Sequence, residues 1–465
     1  MRTMLCLAIL CAACGDDDGG GGTDAGVDSG ETPDSAMVDS GVEDAPADVS
    51  PDVPVDSGPP PECPTGMALL DALEGDAPAF AVVGSDFTST SIAVLDEGGG
   101  VVASGWIDSG VTDPGLVAAL GGDVVLPGPV GGTVGLLDRL GADVATRLCF
   151  DGSLIGQLRL GPSEGFSTNP HDWIAVDANR AWATRYERNP DMDADDLAAG
   201  NDLFGFDPRT MTANGERIPL GSFDAMVSGL DGEGSAADVE VSARPDLLVQ
   251  VDGHVVVGLD RLPVNLFGDV RGHGEGTIVI VADDGTVTSH TLTDLANCGR
   301  VQVVPGTTDE VVVACNGYSN LGFGEPTGER ATAGIIRLRI ADGAATEIAG
   351  WRAADDDASI MAVNGVVSLG ENRVVAVAAG NFGDTPDRLF EVDLQTGDQA
   401  MLAEAGGSFV LGQGAYNGTL VLLVPDATTG SESIRRFTVM DSTIEEGASV
   451  VVDPTTLPPR AIRAL

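Results

Sequence analysis

The sequence contains no lysine: all 23 of its basic residues are arginine, set against 72 aspartates and glutamates, for a formal net charge of −49. A field of that sign repels a phosphate backbone, so nucleic acid is excluded as a partner; cations or basic surfaces are favoured, and solubility is the plainer use of the charge. Long apolar runs are also missing. The N-terminal one is about ten residues where roughly twenty are needed to span a bilayer. Helical periodicity is almost absent from the body of the chain, which turns the reading toward β-structure. The four histidines, His171, His254, His273 and His290, show no H-E-x-x-H or other close metal spacing. Among the cysteines beyond position 14 there is no C-x-x-C pair, which argues against a thiolate metal site. One G-x-S-x-G match exists, Gly161-Pro162-Ser163-Glu164-Gly165, but the Phe166-Ser167-Thr168-Asn169-Pro170 that follows cannot start the helix a nucleophile elbow requires.

What is present begins with Arg2, an apolar stretch from Met4 to Leu10, small Ala12 and Ala13, and then Cys14, the order of a short export signal. Leu10-Cys11-Ala12-Ala13-Cys14 resembles the lipobox of bacterial lipoproteins. The resemblance implies cleavage before Cys14, acylation of Cys14 and anchoring to a membrane; Gly15 in place of Asp implies an outer membrane, on its periplasmic side or at the cell surface. Two or three acyl chains, at roughly 0.8 kcal/mol per buried methylene, make such an anchor stable. Plain secretion with cleavage after Ala13 is the alternative. Residues 1–13 are therefore read as a signal peptide and 14–62 as lipidated Cys14 with a tether. From Gly15 to Glu62 there are fourteen acidic residues, no basic ones and no aromatics. Such a segment cannot bury enough apolar surface to offset the entropy of ordering, so it is expected to be a disordered spacer.

Four cysteines remain in the body: Cys63, Cys149, Cys298 and Cys315. An even number in an exported chain suggests two disulfides, with three possible pairings. The segments Val301–Val304 and Glu310–Ala314 flank a Pro305-Gly306-Thr307-Thr308 turn, and pairing Val304 with Asp309 sets Cys298 opposite Cys315. Cys63 then pairs with Cys149 by elimination.

Residues 63–465 form runs of four to seven Val, Ile, Leu, Phe and Ala separated by tight-turn chemistry such as Asp252-Gly253, Asp342-Gly343 and Asn417-Gly418. The turns recur at about fifty residues, the length of a four-stranded propeller blade. Seven units begin near Ala79, Leu116, Asp172, Asp246, Val301, Gly365 and Phe409. The first lacks its innermost strand, while Pro459–Leu465 is a spare strand without a partner. The expectation is an all-β, seven-bladed β-propeller closed by the C-terminal strand, with six or eight blades as the neighbouring counts. Asn169-Pro170-His171-Asp172-Trp173-Ile174-Ala175-Val176, with Ala181–Tyr186 and Leu203–Thr210, resembles the blade repeat of bacterial surface propellers of the YVTN and NHL-like kind.

In units three to five the connection between the second and third strands is long (Glu187–Asn201, Asp260–Glu275, Asn316–Thr332), and these connections share one face. Candidate ligand-binding residues are Asn169, His171, Asp172, Arg185, Asp260, Arg261 and Asn316, with Tyr186, His273, Tyr318 and Phe323 nearby. Asp191, Asp193, Asp195 and Asp202 have a spacing close to that of a calcium loop, although Asp196 stands where the turn wants Gly. With no reaction motif, the leading expectation is a monomeric, non-enzymatic envelope module that binds a protein, glycan or small ligand and requires no cofactor. The alternative is a propeller hydrolase or lactonase with calcium at the channel mouth.

Overall fold

The computed structural model describes Cys63 and residues 78–465, apart from 110–120, 129–132, 163–164, 192, 232–233, 265–269, 319–331, 354–361, 381–384 and 453–456. Cys14 and the tether lie outside the described residues, as do Ser163 and Phe323.

Seven four-stranded antiparallel sheets follow one another around a ring. Their innermost strands are, for blades one to seven, Pro459–Ala464, Val124–Val125, Pro170–Ala175, Pro245–Val251, Arg300–Val303, Val363–Gly370 and Ala415–Tyr416. The composition of the strands follows from this arrangement. A strand such as Glu310–Cys315 is apolar at nearly every position because both faces of a blade are covered by neighbours. Val311, Val313 and Cys315 pack toward blade four, whereas the alternate Val312 and Ala314 pack toward blade six. Among the described residues there are seven such clusters, one in each gap between adjacent blades. Outer strands face water and read as polar, as in Thr212–Pro219.

The ring closes as expected. Pro459–Ala464 adds antiparallel to Pro78–Ser85, with Val82 opposite Ile462, and supplies the strand blade one lacks. A C-terminal strand completing the first blade leaves no open sheet edge at the seam. Both disulfides also form, Cys63–Cys149 and Cys298–Cys315. The ladder beside the second is one residue out from the expected register: Val303 faces Val311. Asn297, in the left-handed region at φ 57°, offsets the shift, and Asn316 N–H donates to the Asn297 carbonyl.

The inner strands of blades two and seven are only two residues long, Val124–Val125 and Ala415–Tyr416; the latter begins later than the expected Phe409, while Leu116, the expected start of unit two, lies outside the described residues. An additional hairpin, Ala225–Leu230 with Ala236–Val241, lies between blades three and four. It rests on the long connections: Arg188 bridges Asp224 and Glu240 at 2.9 and 2.8 Å, and Leu230 pairs with Arg271.

Candidate functional site

The inner strands enclose a central channel of about 660 Å³, lined by residues of all seven blades. Its mouth lies where these strands begin, and three of them bring titratable side chains together there. Blade three contributes His171, blade four Asp246 and blade five Arg300.

Asp246 is the hub. Its Oδ1 sits 2.8 Å from His171 Nδ1, and its Oδ2 is 3.2 Å from Arg300 Nε. Burial raises its pKa, but the Arg300 charge and then the His171 hydrogen bond outweigh burial and bring the value down to about 2. His171 is 4% exposed, and burial pushes its pKa down to about 4 in spite of Asp246. The imidazole is therefore neutral at pH 7. A carboxylate only accepts, so Nδ1–H donates to Asp246 and Nε2 keeps its lone pair. That Nε2 is buried without a hydrogen-bond partner.

The ring of His171 is held flat against Tyr186, with centroids 3.9 Å apart and planes 10° from parallel. Stacked imidazole fills one face of the phenol, so the Arg244 guanidinium, 4.9 Å from the ring centre, takes the other. Tyr186 Oη donates to Asp260 Oδ2 at 2.8 Å. Burial and the nearby Asp246 charge push Asp260 up to about 7. Gly299 makes this packing possible: a Cβ there would meet Asp246 Oδ2 at 2.6 Å and Asp260 Oδ1 closer still.

The other sequence candidates are placed differently. Asp172 turns away from the channel and braces three blades, accepting from Gly128 N at 3.2 Å, Trp173 N at 2.9 Å and Leu248 N at 3.3 Å. Burial, opposed by Arg463 and these N–H groups, raises it to about 6. Asn169 adopts φ 46° just before the inner strand of blade three, and its Oδ1 is buried without a partner. Arg185 is fully buried: it grips Asp202 through Nε and Nη2 at 2.7 and 2.6 Å and donates to the carbonyls of Leu160, Asp196 and Leu197. Arg261 is tied to the carbonyls of Phe223 and Glu275. Asn316 Oδ1 is buried and unpartnered beside the Cys298–Cys315 bridge.

The carboxylates with calcium-loop spacing do not converge. Asp202 is enclosed by Arg185 and Arg217. Asp195 instead caps the short helix Asp196–Ala199, and Asp191 accepts from the Asp193 N–H. Among the described residues no three His, Cys, Asp or Glu side chains gather as a metal would require. The donor set therefore does not fit a cation at this loop.

Sequence reasoning found His171 and Asp260 but not Asp246 or Arg300. The available signal was positional, since Asp246 and Arg300 open units four and five as His171 opens unit three.

No protein-family model and no curated protein sequence matches this chain. Solved structures do match. A candidate 6-phosphogluconolactonase from Bacteroides fragilis aligns with TM-score 0.51 at 13% identity, over 84% of this chain and 98% of that one. One from Bacteroides uniformis aligns with TM-score 0.51 at 12% identity, over 84% and 100%. At these identities the likeness concerns architecture alone, and on that ground and its own strand order the chain is a seven-bladed β-propeller.

Proposed function

We propose that this chain is an envelope-anchored, non-enzymatic binding module that holds a small ligand in the central channel of its propeller. The observation that carries the reading is the channel itself, about 660 Å³ with an unpartnered His171 Nε2 fixed in orientation by Asp246 at its mouth. A concave, largely apolar site with a few convergent polar groups is the usual form of a small-molecule site. The anchor at Cys14 rests on the lipobox resemblance; mass spectrometry of the mature chain, with Cys14→Ala as control, tests it. Binding is tested with the neutral dye Nile red. One dye per chain is expected, with loss of its fluorescence in Gln302→Trp, which fills the channel wall. Dye binding unaffected by that substitution would remove the reading.

One observation favours hydrolysis as a second reading. A neutral imidazole oriented by a buried carboxylate is what a general base needs. Two propellers of the same architecture carry the name of candidate 6-phosphogluconolactonases, so a simple δ-lactone is the substrate to try. Turnover abolished by His171→Gln would support this reading, and a rate equal to the uncatalysed one would leave binding alone.

A further inference from the structure

The charge lining the channel is opposite in sign to that of the chain. Four arginines, Arg139, Arg300, Arg460 and Arg463, face only two aspartates, Asp123 and Asp246, while His171 is neutral. The whole molecule carries −49. Solubility accounts for exposed carboxylates, but not for a cationic interior.

Three of these arginines have work within the fold. Arg139 grips Asp123 at 2.6 Å, Arg300 pairs with Asp246, and Arg460 donates to the Ser85 carbonyl while lying 4.7 Å from the Phe87 ring centre. Arg463 differs. It sits half-buried on the closing strand, and no hydrogen bond or ion pair joins its guanidinium to any described residue. Its field reaches Asp172, whose oxygens are already taken by backbone N–H groups. A half-buried guanidinium keeps part of its water, and an anion that replaces that water gains charge-assisted hydrogen bonds. In a chain with 72 carboxylates to 23 arginines, leaving one cation in a channel without an acidic partner points to an acceptor from outside.

A second observation bears on the same space. His171 is 4% exposed, lines the channel, and has an Nε2 without a partner. Beyond the charged groups the wall is mainly apolar, with Ile174, Val301, Val303, Val367 and Ile462, interrupted by amides such as Gln250, Gln302 and Gln413. The Arg463 guanidinium suits an anionic head and the apolar stretches of the wall suit a hydrocarbon body, while the His171 Nε2 lone pair only accepts and so suits a hydroxyl, not the anion.

We infer that the channel takes a small amphipathic organic anion, a carboxylate or phosphate monoester whose head is met by the guanidinium of Arg463. This rests on the channel-binding reading above and goes beyond it by naming the ligand's chemistry and a specificity-determining residue.

The test is calorimetric titration of the full chain with hexanoate, hexyl phosphate, hexanol and hexylammonium at pH 7. At least one of the two anions is expected to bind at one site per chain, at least tenfold tighter than hexanol, with hexylammonium weakest. Which anion binds tells carboxylate from phosphate. Arg463→Gln is expected to lower the anion's affinity at least tenfold and leave hexanol unchanged, while Arg463→Lys, which keeps the charge, retains most of the anion's affinity. The lysine variant and its thermal melt separate loss of charge from loss of fold. Equal affinity for hexanol and both anions would overturn the inference, as would anion binding indifferent to Arg463→Gln. If Nile red still binds in either case, the channel reading stands and only the anion claim falls. If no probe and no dye binds, both fall.

Discussion

Replacing Asp246 by Asn probes the mouth of the channel most directly. Asp246 is 3% exposed, and each of its oxygens is committed, one to His171 Nδ1 at 2.8 Å and the other to Arg300 Nε at 3.2 Å. An amide can still accept from one of these donors, but its NH2 then faces the other. A buried donor left without an acceptor costs about 1–3 kcal/mol. Arg300 also loses its counter-charge; a quarter of that side chain is exposed, so water screens part of the loss. One effect works the other way, because Asp260 is released from the charge that helps hold its pKa up at about 7. The net expectation is a loss of about 2–4 kcal/mol, read as a lowered urea midpoint at pH 7. Nitrogen-15 spectra of the histidines provide the second readout. The parent protein is expected to show His171 neutral with the proton on Nδ1, and the variant a mixture of tautomers. A loss below about 0.5 kcal/mol, together with an imidazole in the parent that titrates near 6.5, would refute the reasoning.

Asp202→Asn breaks a pair in which both side chains are fully buried, so a larger loss of about 3–5 kcal/mol is expected, and added calcium should shift the melting temperature of neither form. Removing residues 459–465 takes the inner strand from blade one and exposes the edge of Pro78–Ser85; loss of the cooperative melt, with dye-accessible apolar surface, is expected, and an unchanged melt would deny that the strand closes the ring. Stability should also depend on pH. Asp138 and Asp260 are pushed up to about 7 and Asp172 to about 6, in each case first by burial, so the folded chain holds protons that unfolded aspartates release near 3.8. Their contribution is lost as pH rises toward 7. His171, depressed to about 4 from 6.5, acts in the opposite sense, its contribution being lost as pH falls through that window. Three carboxylates against one imidazole predict a higher urea midpoint at pH 5.5 than at pH 8, with Asp260→Asn flattening the slope. A midpoint that climbs from pH 5.5 to 8 would contradict the assignment.

The blades were legible because each one buries both of its faces. Runs such as Val311-Val312-Val313-Ala314 announce a strand covered on two sides, and the turn residues between runs set the repeat. Blade two was harder to place, since an inner strand of two residues, Val124–Val125, leaves almost no pattern to read. The hairpin at 225–241 escaped notice because several of its residues are exposed and it belongs to no repeat. In the site, Arg185 and Asp202 looked like loop ligands. Seventeen residues apart in sequence, they neutralise each other inside blade three, and nothing in their spacing shows that they turn inward.

The chain's order of apolar runs and turns by itself pointed to a propeller of about seven blades, a borrowed C-terminal strand and two disulfides, because these depend on alternation and on counting strands; the count of seven was settled by the sheets. Which charges meet was decided only by the closed ring. His171 and Asp246 are 75 residues apart in sequence and 2.8 Å apart in space, brought together because consecutive inner strands begin at one end of a common axis. Burial there, a property of the assembled ring and not of either residue, makes one histidine a neutral acceptor, and the ring sets Arg463 near Asp172 without a hydrogen bond to it.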